Sequence, residues 1–279
     1  MKQISAKIDL DSANPRGVRL TTLICTFPRM ILAEVNTHRR FSRNSASSRA
    51  IPVEKMIAAV EEDPFIPTHW TTAGKGMSGG PEVTDPAMIE ECRFRWLNSR
   101  DRAIRSAESL MQLGLAKQVV NRVLEPFMWH IAIISATEWG NFLALRDHPK
   151  SEPHFRDLAH LILEELKASI PIPRETGEWH LPLTHDLHEV PIADRVQIST
   201  ARCARISYLT HDGRRDPDED LRLYRGLSSD GHWSPFEHPA RATNSKYRIG
   251  NFVGWLQHRK DFPDEERDHP DVSNHEFSL

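Results

Sequence analysis

The chain has 279 residues, of which 39% are hydrophobic and 27% are charged, and its formal net charge is −3 at pH 7. This length gives room for one large domain, or two small ones, around a proper hydrophobic core. The slightly negative charge argues against general attraction to nucleic acid or to an anionic membrane, so any basic site must be local.

The cysteines and the apolar segments narrow the class of protein further. Cys25, Cys92 and Cys203 are odd in number and far apart, which argues against a disulfide framework or a zinc site and fits a reducing cytoplasm. No apolar run reaches the roughly 18 residues of a membrane span. Residues 1–12 lack the apolar core of a secretory signal, so we expect none. The sequence therefore predicts a cytoplasmic protein.

The first part of the chain predicts a strand followed by helices. Residues 18–26 are rich in β-branched side chains and predict a strand. Pro28 suits the first turn of a helix, which we expect over residues 29–40. Residues 41–50 contain too much Ser, Arg and Asn for a helix interior, and Pro52 begins the next helix.

The middle of the chain predicts a long loop and then mostly helix. Residues 63–86 are rich in proline and glycine and predict a loop, and loops of this length are usually functional or disordered. A helix is expected over residues 87–113, ended by Gly114, with more helix over 115–124. The strongly apolar residues 127–145 predict a central buried helix.

The last part of the chain adds further helices. Apolar residues at helical spacing predict a helix over 152–170. The remaining predicted elements are a connector at 171–191, helices at 192–207 and 219–229, a compact loop at 232–238, a weak strand at 239–247, a helix at 249–260 and an acidic, disordered tail. The predicted fold class is α+β: a helix-rich single domain with few strands, which form a small antiparallel sheet.

A glycine pattern at residues 74–79 has the spacing GxGxxG of dinucleotide-binding loops. That function needs a strand before the glycines and a helix after them, so that the helix N-terminus faces the pyrophosphate. Pro81 and Pro86 interrupt the residues that follow. The pattern therefore favours a mobile loop, with a lid over a site as the alternative.

Two other groups of polar residues have a structural and a functional interpretation. His180, His185 and His188 lie close together in a proline-rich connector, whereas metal ligands need rigid elements and supporting hydrogen bonds. We expect solvated loop residues there and no metal site. Glu138 lies inside an apolar run, and a buried carboxylate needs a partner, so we expect an arginine beside it.

Residues 38–49, HRRFSRNSASSR, hold four arginines, four serines, one histidine and one asparagine. The planar arginine fork matches phosphate oxygens, and serine hydroxyls and loop N–H groups add short donors. The alternatives are a solvated basic loop and an RNA-binding patch. The segment lies between two apolar helices and offers only Phe41 for base stacking. It therefore predicts a site for a phosphorylated small molecule.

This segment resembles a known family signature. The pattern His38-Arg39-x-x-Ser42-x-Asn44-x-x-Ser47-x-Arg49 resembles RHRxxSxNxxSxR of the flavin-dependent thymidylate synthases. Further segments that are similar to motifs of this family are RVLEP at 122–126, NFLALR at 141–146, ARIS at 204–207 and HWSPFEH at 232–238. Each match is weak alone, but together they touch most of the chain.

The order of these motifs differs from that of the family. The ARIS and PFEH segments come first in the family and last here, so the chain resembles a circular permutation of it. Residues 251–259 resemble the strand and helix that lead into the signature, and end in a second His-Arg pair at His258 and Arg259. Permutation is tolerated where chain ends lie close together at the surface. We expect one permuted domain over residues 1–262 and a disordered tail over 263–279.

The resemblance implies a chemistry and a set of ligands. The family binds FAD and dUMP, takes a methylene group from methylenetetrahydrofolate, and makes dTMP with a hydride from the flavin, which NADPH reduces. It needs no cysteine nucleophile, and no cysteine here lies in a site-like context. The family is tetrameric, with sites built from several subunits. We therefore expect a homotetramer, without nucleic acid or membrane as partner.

The resemblance also implies roles for individual residues. The residues expected to contact the flavin or folate are His38, Arg39, Asn44, Ser45, Asn141, Ser207, His232, Ser234 and Glu237. The residues expected to hold the nucleotide are Glu34, Ser47, Ser48, Arg49, Arg122 and Arg146. Arg146 and Ser47 are the expected catalytic residues, with Arg146 facing the uracil ring, where a fixed cation favours the ionised N3.

Some positions depart from the family pattern. Thr37 replaces the first arginine of the signature, Ser45 replaces a glutamate, and Ala50 replaces an aromatic residue. In the central segment, Ser135 and Thr137 stand where the family tends to have Asn and Arg. These departures leave two alternatives open. One is a related flavin enzyme that modifies another pyrimidine, for example by hydroxymethylation. The other is an inactive homologue that binds nucleotide or RNA.

Overall fold

The computed structural model describes residues 2–45, 51–75, 79–206, 216–263 and 265. The strands are β1 Ser5–Ala13, β2 Arg19–Pro28, β3 Ser42–Ser45, β4 Trp129–Ala136, β5 Ile172–Pro173, β6 Trp179–His180, β7 Ala240–Ala242, β8 Arg248–Ile249, β9 Phe252–Val253 and β10 Trp255–Gln257. The helices are α1 Leu32–Val35, α2 Val53–Glu62, α3 Pro86–Gln112, α4 Lys117–Val120, α5 Gly140–Arg146, α6 Pro153–Ala168, α7 Ile192–Ala204 and α8 Pro217–Asp230. The described residues also form four 3₁₀ turns, at Arg29–Ile31, Asn121–Phe127, Ser234–Glu237 and His258–Asp261.

The central element is a five-stranded sheet in the order β3-β4-β2-β1-β5. Its pairings are antiparallel except that of β1 with β5, which is parallel. The other sheets are small: β6, β7 and β10 form one, and β8 pairs with β9. The fold is α+β and helix-rich, as the sequence predicts.

The prediction of a central helix over residues 127–145 is wrong. The structure has β4 there, followed by the short helix α5. Both faces of β4 are buried: Ile134 packs with α5 and α6, whereas Ile133 packs with Cys203 of α7. A strand covered on both faces is apolar throughout, so it lacks the alternation that identifies a half-exposed strand.

The prediction of a helix over residues 249–260 is also wrong. That stretch forms β8, β9, β10 and a 3₁₀ turn. Gly250 and Gly254 adopt positive φ angles of 68° and 70°, which turn the chain sharply and are incompatible with a continuous helix.

Elsewhere the predictions for the helices are largely confirmed. The helices predicted after Pro52 and over 87–113 and 152–170 match α2, α3 and α6 to within two residues at each end. The helix expected over 29–40 is shorter, because regular helix ends at Val35. Strand β1 was not predicted at all.

Two expectations about polar residues need correction. His180 is fully buried rather than solvated, whereas His185 and His188 are exposed as expected. Glu138 forms the expected ion pair with an arginine, Arg248, but its side chain is exposed rather than buried.

Within the described part of the chain, every helix is too short or too polar to span a bilayer. Nearly all of the predicted tail lies outside the described residues, as does part of the 74–79 glycine pattern.

Candidate functional site

Two segments that are far apart in the sequence meet at strand β3. The amide of Asn44 lies 3.1 Å from Ser234 Oγ and 3.0 Å from His238 Nε2. The amide orientation that satisfies its neighbours directs Nδ2 at His238 Nε2 and lets Oδ1 accept from Ser234. The contact joins the 38–49 segment to the 232–238 segment, as a shared site requires.

His238 continues this contact into the sheet as a chain of buried hydrogen bonds. Its Nδ1 lies 2.8 Å from Ser135 Oγ, and Ser135 Oγ lies 2.6 Å from Thr22 Oγ1. Thr22 Oγ1 is 2.8 Å from His180 Nε2, and His180 Nδ1 is 2.9 Å from Ser12 Oγ. We call this chain, from Ser12 to Asn44, the buried relay.

Both histidines of the buried relay are neutral. Burial lowers the pKa of His238 to about 3 and the pKa of His180 well below its usual value. A neutral imidazole donates from one ring nitrogen and accepts at the other. With His238 Nε2 accepting from Asn44, its Nδ1 donates to Ser135, and every later hydrogen bond can point the same way. The relay is therefore compatible with the Asn44 orientation that its other neighbours favour.

A second polar contact links α5 to the turn before β3. Arg146 Nε donates to His38 Nε2 at 2.9 Å, and its Nη2 donates to Thr37 Oγ1 at 3.3 Å. The guanidinium also lies over the ring of Phe155, 4.8 Å from the centroid. Burial, followed by the neighbouring cations Arg146 and Arg43, lowers the pKa of His38 to about 4. His38 is thus a neutral acceptor that orients a permanent cation.

The C-terminal residues brace this region. Arg259 Nη1 donates to Glu237 Oε1 at 2.8 Å, and Asn251 Nδ2 donates to Glu237 Oε2 at 3.1 Å. The buried hydroxyl of Ser42 accepts from Asn251 and from Gln257. The second His-Arg pair therefore includes an arginine that holds Glu237 within the same chain.

An open cleft of about 350 Å³ lies where these elements meet. Its walls are formed by Asn36, Arg39, Phe41, Arg43, Ser234, Glu237 and Asn251. Arg39 is exposed and faces the cleft, whereas Arg43 also donates to the carbonyl of Val35 at 2.9 Å. Nearby in sequence, Glu34 Oε2 is buried and accepts no hydrogen bond from the described residues. The cleft offers cations, amides and an aromatic ring to a polar ligand.

The structure brings together only part of the predicted site. His38 contacts Arg146, and Asn44, Ser234, Glu237 and Arg39 lie on or beside the cleft. Ser47, Ser48, Arg49 and Ser207 lie outside the described residues, as does Ala50.

Other predicted residues lie at the surface. Arg122 forms an exposed ion pair with Glu125 at 3.1 Å, although its neighbour Asn121 bonds to the carbonyl of Ile51, next to the undescribed 46–50 segment. Asn141 and His232 are exposed, and Ser45 ends β3, where it pairs with Ala132.

Sequence reasoning missed the buried relay. The family resemblance gives no role to His238, and Ser135 enters it only as a departure from the family pattern. The available signal was a set of polar residues inside otherwise apolar strand segments, since such groups require hydrogen-bonding partners.

Residues 17–172 match the family model described as Thy1, thymidylate synthase complementing protein. The match spans more than half of the chain, and the chain therefore belongs to this family, the flavin-dependent thymidylate synthases. The matched range contains the 38–49 segment and Arg146 but ends before residues 232–238. The circular permutation remains a prediction.

No curated protein matches the chain significantly. A solved structure that is similar to it is that of PolB from Streptomyces cacaoi, a UMP/dUMP methylase bound with 5-Br UMP. The identity is 13%, the similarity covers 60% of this chain and 89% of that chain, and the TM-score is 0.49.

Proposed function

We propose that this protein is a flavin-dependent thymidylate synthase that converts dUMP to dTMP with methylenetetrahydrofolate and NADPH. The observation that carries the proposal, beside membership of the family, is the contact of Asn44 with Ser234 and His238. Residues about 190 positions apart meet at this contact, next to a cleft with two arginines.

The cleft suits part of the cofactor FAD. Arg39 and Arg43 supply the cations that pyrophosphate oxygens require, and Phe41 supplies an apolar wall. When bound, FAD supplies the hydride that completes the methyl group. The volume of about 350 Å³ is at the low end of the range of about 300–1,000 Å³ for ligand sites. We therefore infer that other walls come from a neighbouring subunit.

Arg146 is the residue that we assign to the pyrimidine. The neutral imidazole of His38 and the ring of Phe155 hold its guanidinium in place, so little reorganisation is needed when charge develops on the substrate. A cation fixed in this way favours the ionised form of the uracil ring. The Glu34 carboxylate oxygen Oε2, which has no partner among the described residues, is a second group available to the nucleotide.

The cysteines support a route without a thiol nucleophile. Burial raises the pKa of Cys25 to about 12 and also raises that of Cys203, so both thiols stay protonated at neutral pH. All three cysteines are free. Free thiols fit a reducing compartment, and we therefore propose that the protein works in the cytoplasm.

The test is a spectrum followed by a turnover assay. The purified protein, supplied with FAD, should show bound-flavin absorbance. It should release tritium from [5-³H]dUMP only when methylenetetrahydrofolate and NADPH are both present. Mass spectrometry should identify dTMP from dUMP and no product from dCMP. Failure to bind added FAD contradicts the proposal, and a hydroxymethylated product would instead assign a related pyrimidine-modifying activity.

We also propose a homotetramer, as the family resemblance implies, because the cleft that the described residues of one chain form is too small to enclose a whole dinucleotide. Light scattering coupled to size-exclusion chromatography should give four times the mass of the 32.0 kDa chain. A monomer that binds FAD with full stoichiometry would contradict this assembly.

A further inference from the structure

We propose that the protein has a second ligand site, which binds a small phosphate ester at the other edge of the large sheet. A cavity of about 920 Å³ lies between β5, β6 and the start of α7. It shares no lining residue with the cleft beside β3. Most of its lining residues follow residue 172, where the match to the thymidylate synthase family ends.

Two arginines in this cavity have unsatisfied donors. Arg174 and Arg195 both line it, and the Nε atom of each is buried without a hydrogen-bond partner among the described residues. A buried N–H that has lost its water and gained no acceptor costs free energy, which a bound acceptor would recover. Arginine Nε and Nη donate in parallel to two oxygens of one phosphate. The guanidinium groups of Arg174 and Arg195 are thus the donors that a phosphate in this cavity would use.

The charge of the lining favours an anion. Against the two arginines, the lining contains one acidic residue, Glu178, whose carboxylate already accepts the backbone N–H of Glu175 at 2.8 Å. His188 also lines the cavity and adds a further donor, whereas His185 Nε2 already lies 3.3 Å from Asp9 Oδ1. A phosphate monoester carries up to two negative charges and three terminal oxygens, so it can use more of these donors than a carboxylate can.

The rest of the wall favours an apolar group on the phosphate. Trp179, Leu181 and Ile192 line the same cavity. The guanidinium of Arg241 lies 5.1 Å from the centroid of the Trp179 ring, which holds the indole in place. The cavity volume falls within the range of sites for drug-sized ligands. We therefore assign to it a phosphate ester of a compact, aromatic or aliphatic group.

The test uses phenyl phosphate as the probe and titration calorimetry of the full chain. FAD and dUMP are present at saturation, so that the probe cannot report on the cleft beside β3. The wild type should bind phenyl phosphate, and Arg174→Gln combined with Arg195→Gln should weaken binding at least 10-fold. The matched control, Arg102→Gln with Arg222→Gln, removes two exposed arginines and should change binding less than twofold. Equal binding by the two double variants, or no binding by the wild type, would overturn the proposal.

A second measurement does not depend on the folding of the variants. Phenylglyoxal modifies accessible arginines, and phenyl phosphate should protect Arg174 and Arg195 in the wild type while the exposed Arg222 stays reactive. Phenol and inorganic phosphate, tested separately, should each protect less well than the ester. Better protection by benzoate would reject a phosphate site. Failure of dUMP to bind would count against the proposed activity alone, since protection at Arg174 and Arg195 is measured without it.

Discussion

At the scale of single residues, the orientation of the Arg146 guanidinium depends on the charge state of His38. Its Nε donates to the neutral His38, and its guanidinium lies over Phe155. A protonated His38 would repel the guanidinium, so the lowered pKa of His38 keeps the pair together at neutral pH. Burial thus keeps His38 neutral as a hydrogen-bond acceptor, and this acceptor holds the guanidinium of Arg146 in place.

Replacing Arg146 by alanine should separate cofactor binding from turnover. We expect Arg146→Ala to retain bound-flavin absorbance and to lose about 100- to 1,000-fold in turnover, as when one charge-stabilising donor is removed from an active site. Arg105→Ala, at an exposed position of α3, is the control and should keep full activity. An active Arg146→Ala variant would mean that this arginine does not face the pyrimidine.

His238 should make the stability of the protein sensitive to acid. Its pKa is about 3 in the folded chain and about 6.5 in the unfolded chain, so the unfolded state takes up the proton first. Stability is therefore fully present above about pH 6.5 and falls as the pH drops below it. His238→Gln should flatten the fall in melting temperature between pH 7 and pH 5, whereas the exposed His232→Gln should not. Identical slopes in all three proteins would refute this role.

At the scale of elements, the sequence identifies helices better than strands, for a physical reason. Helix α6 buries one face, so its apolar residues recur with the helical period. Strand β4 is buried on both faces, and its continuous apolar run fits a buried helix equally well. Only the pairing of β4 with β2 and β3 decides between them, and that pairing joins residues about 100 positions apart.

Strand β1 carries the sequence pattern of a strand, although it is not among the predicted elements. Ala6, Ile8 and Leu10 alternate with charged residues, which is the pattern of a half-buried strand. The strand pairs with β2 along most of its length. The C-terminal strands carry no such pattern, because they have only two or three residues each and depend on Gly250 and Gly254 for their turns.

Removing the hydroxyl of Ser135 should test the buried relay, whose middle lies on β4. Ser135→Ala leaves His238 Nδ1 and Thr22 Oγ1 without a shared partner in the core. We expect the free energy of unfolding to fall by about 1–3 kcal/mol in a urea titration. Ser99→Ala, which removes an exposed hydroxyl from α3, should change it by less than about 0.5 kcal/mol. Similar values for both variants would show that the relay does not stabilise the fold.

At the scale of the whole molecule, the candidate site depends on both halves of the chain. The motifs pointed to one contact between the halves: Asn44 from the first half lies beside Ser234 from the second. The motifs did not predict the hydrogen bonds that hold these residues in place. Contacts such as that of Gln257 with Ser42 leave no local pattern in the sequence. Glu237 is held by Arg259, within the repeated segment near the C-terminus.

Adding a single methyl group at Gly254 should weaken the contact between the β1–β2 turn and the C-terminal strands. Its φ is +70°, and an added Cβ would lie 2.5 Å from Asn14 Nδ2 and 2.9 Å from the carbonyl oxygen of Ser245. The same Asn14 amide donates to the Gly254 carbonyl at 2.9 Å, which ties the β1–β2 turn to the C-terminal strands. Gly254→Ala should therefore combine backbone strain with a steric clash and lower the free energy of unfolding by about 2–3 kcal/mol.

The matched control is the same substitution at Gly226, inside α8. A Cβ there meets no atom within 4 Å, and alanine is the better helix former, so Gly226→Ala should raise stability by about 0.5–1 kcal/mol. Gln257 of β10 donates hydrogen bonds to the hydroxyl of Ser42 and to the carbonyl of Glu237, beside the cleft proposed for FAD. Gly254→Ala should therefore also weaken FAD binding, whereas Gly226→Ala should not. A loss of stability with unchanged FAD affinity would show that the C-terminal strands stabilise the fold without shaping the site.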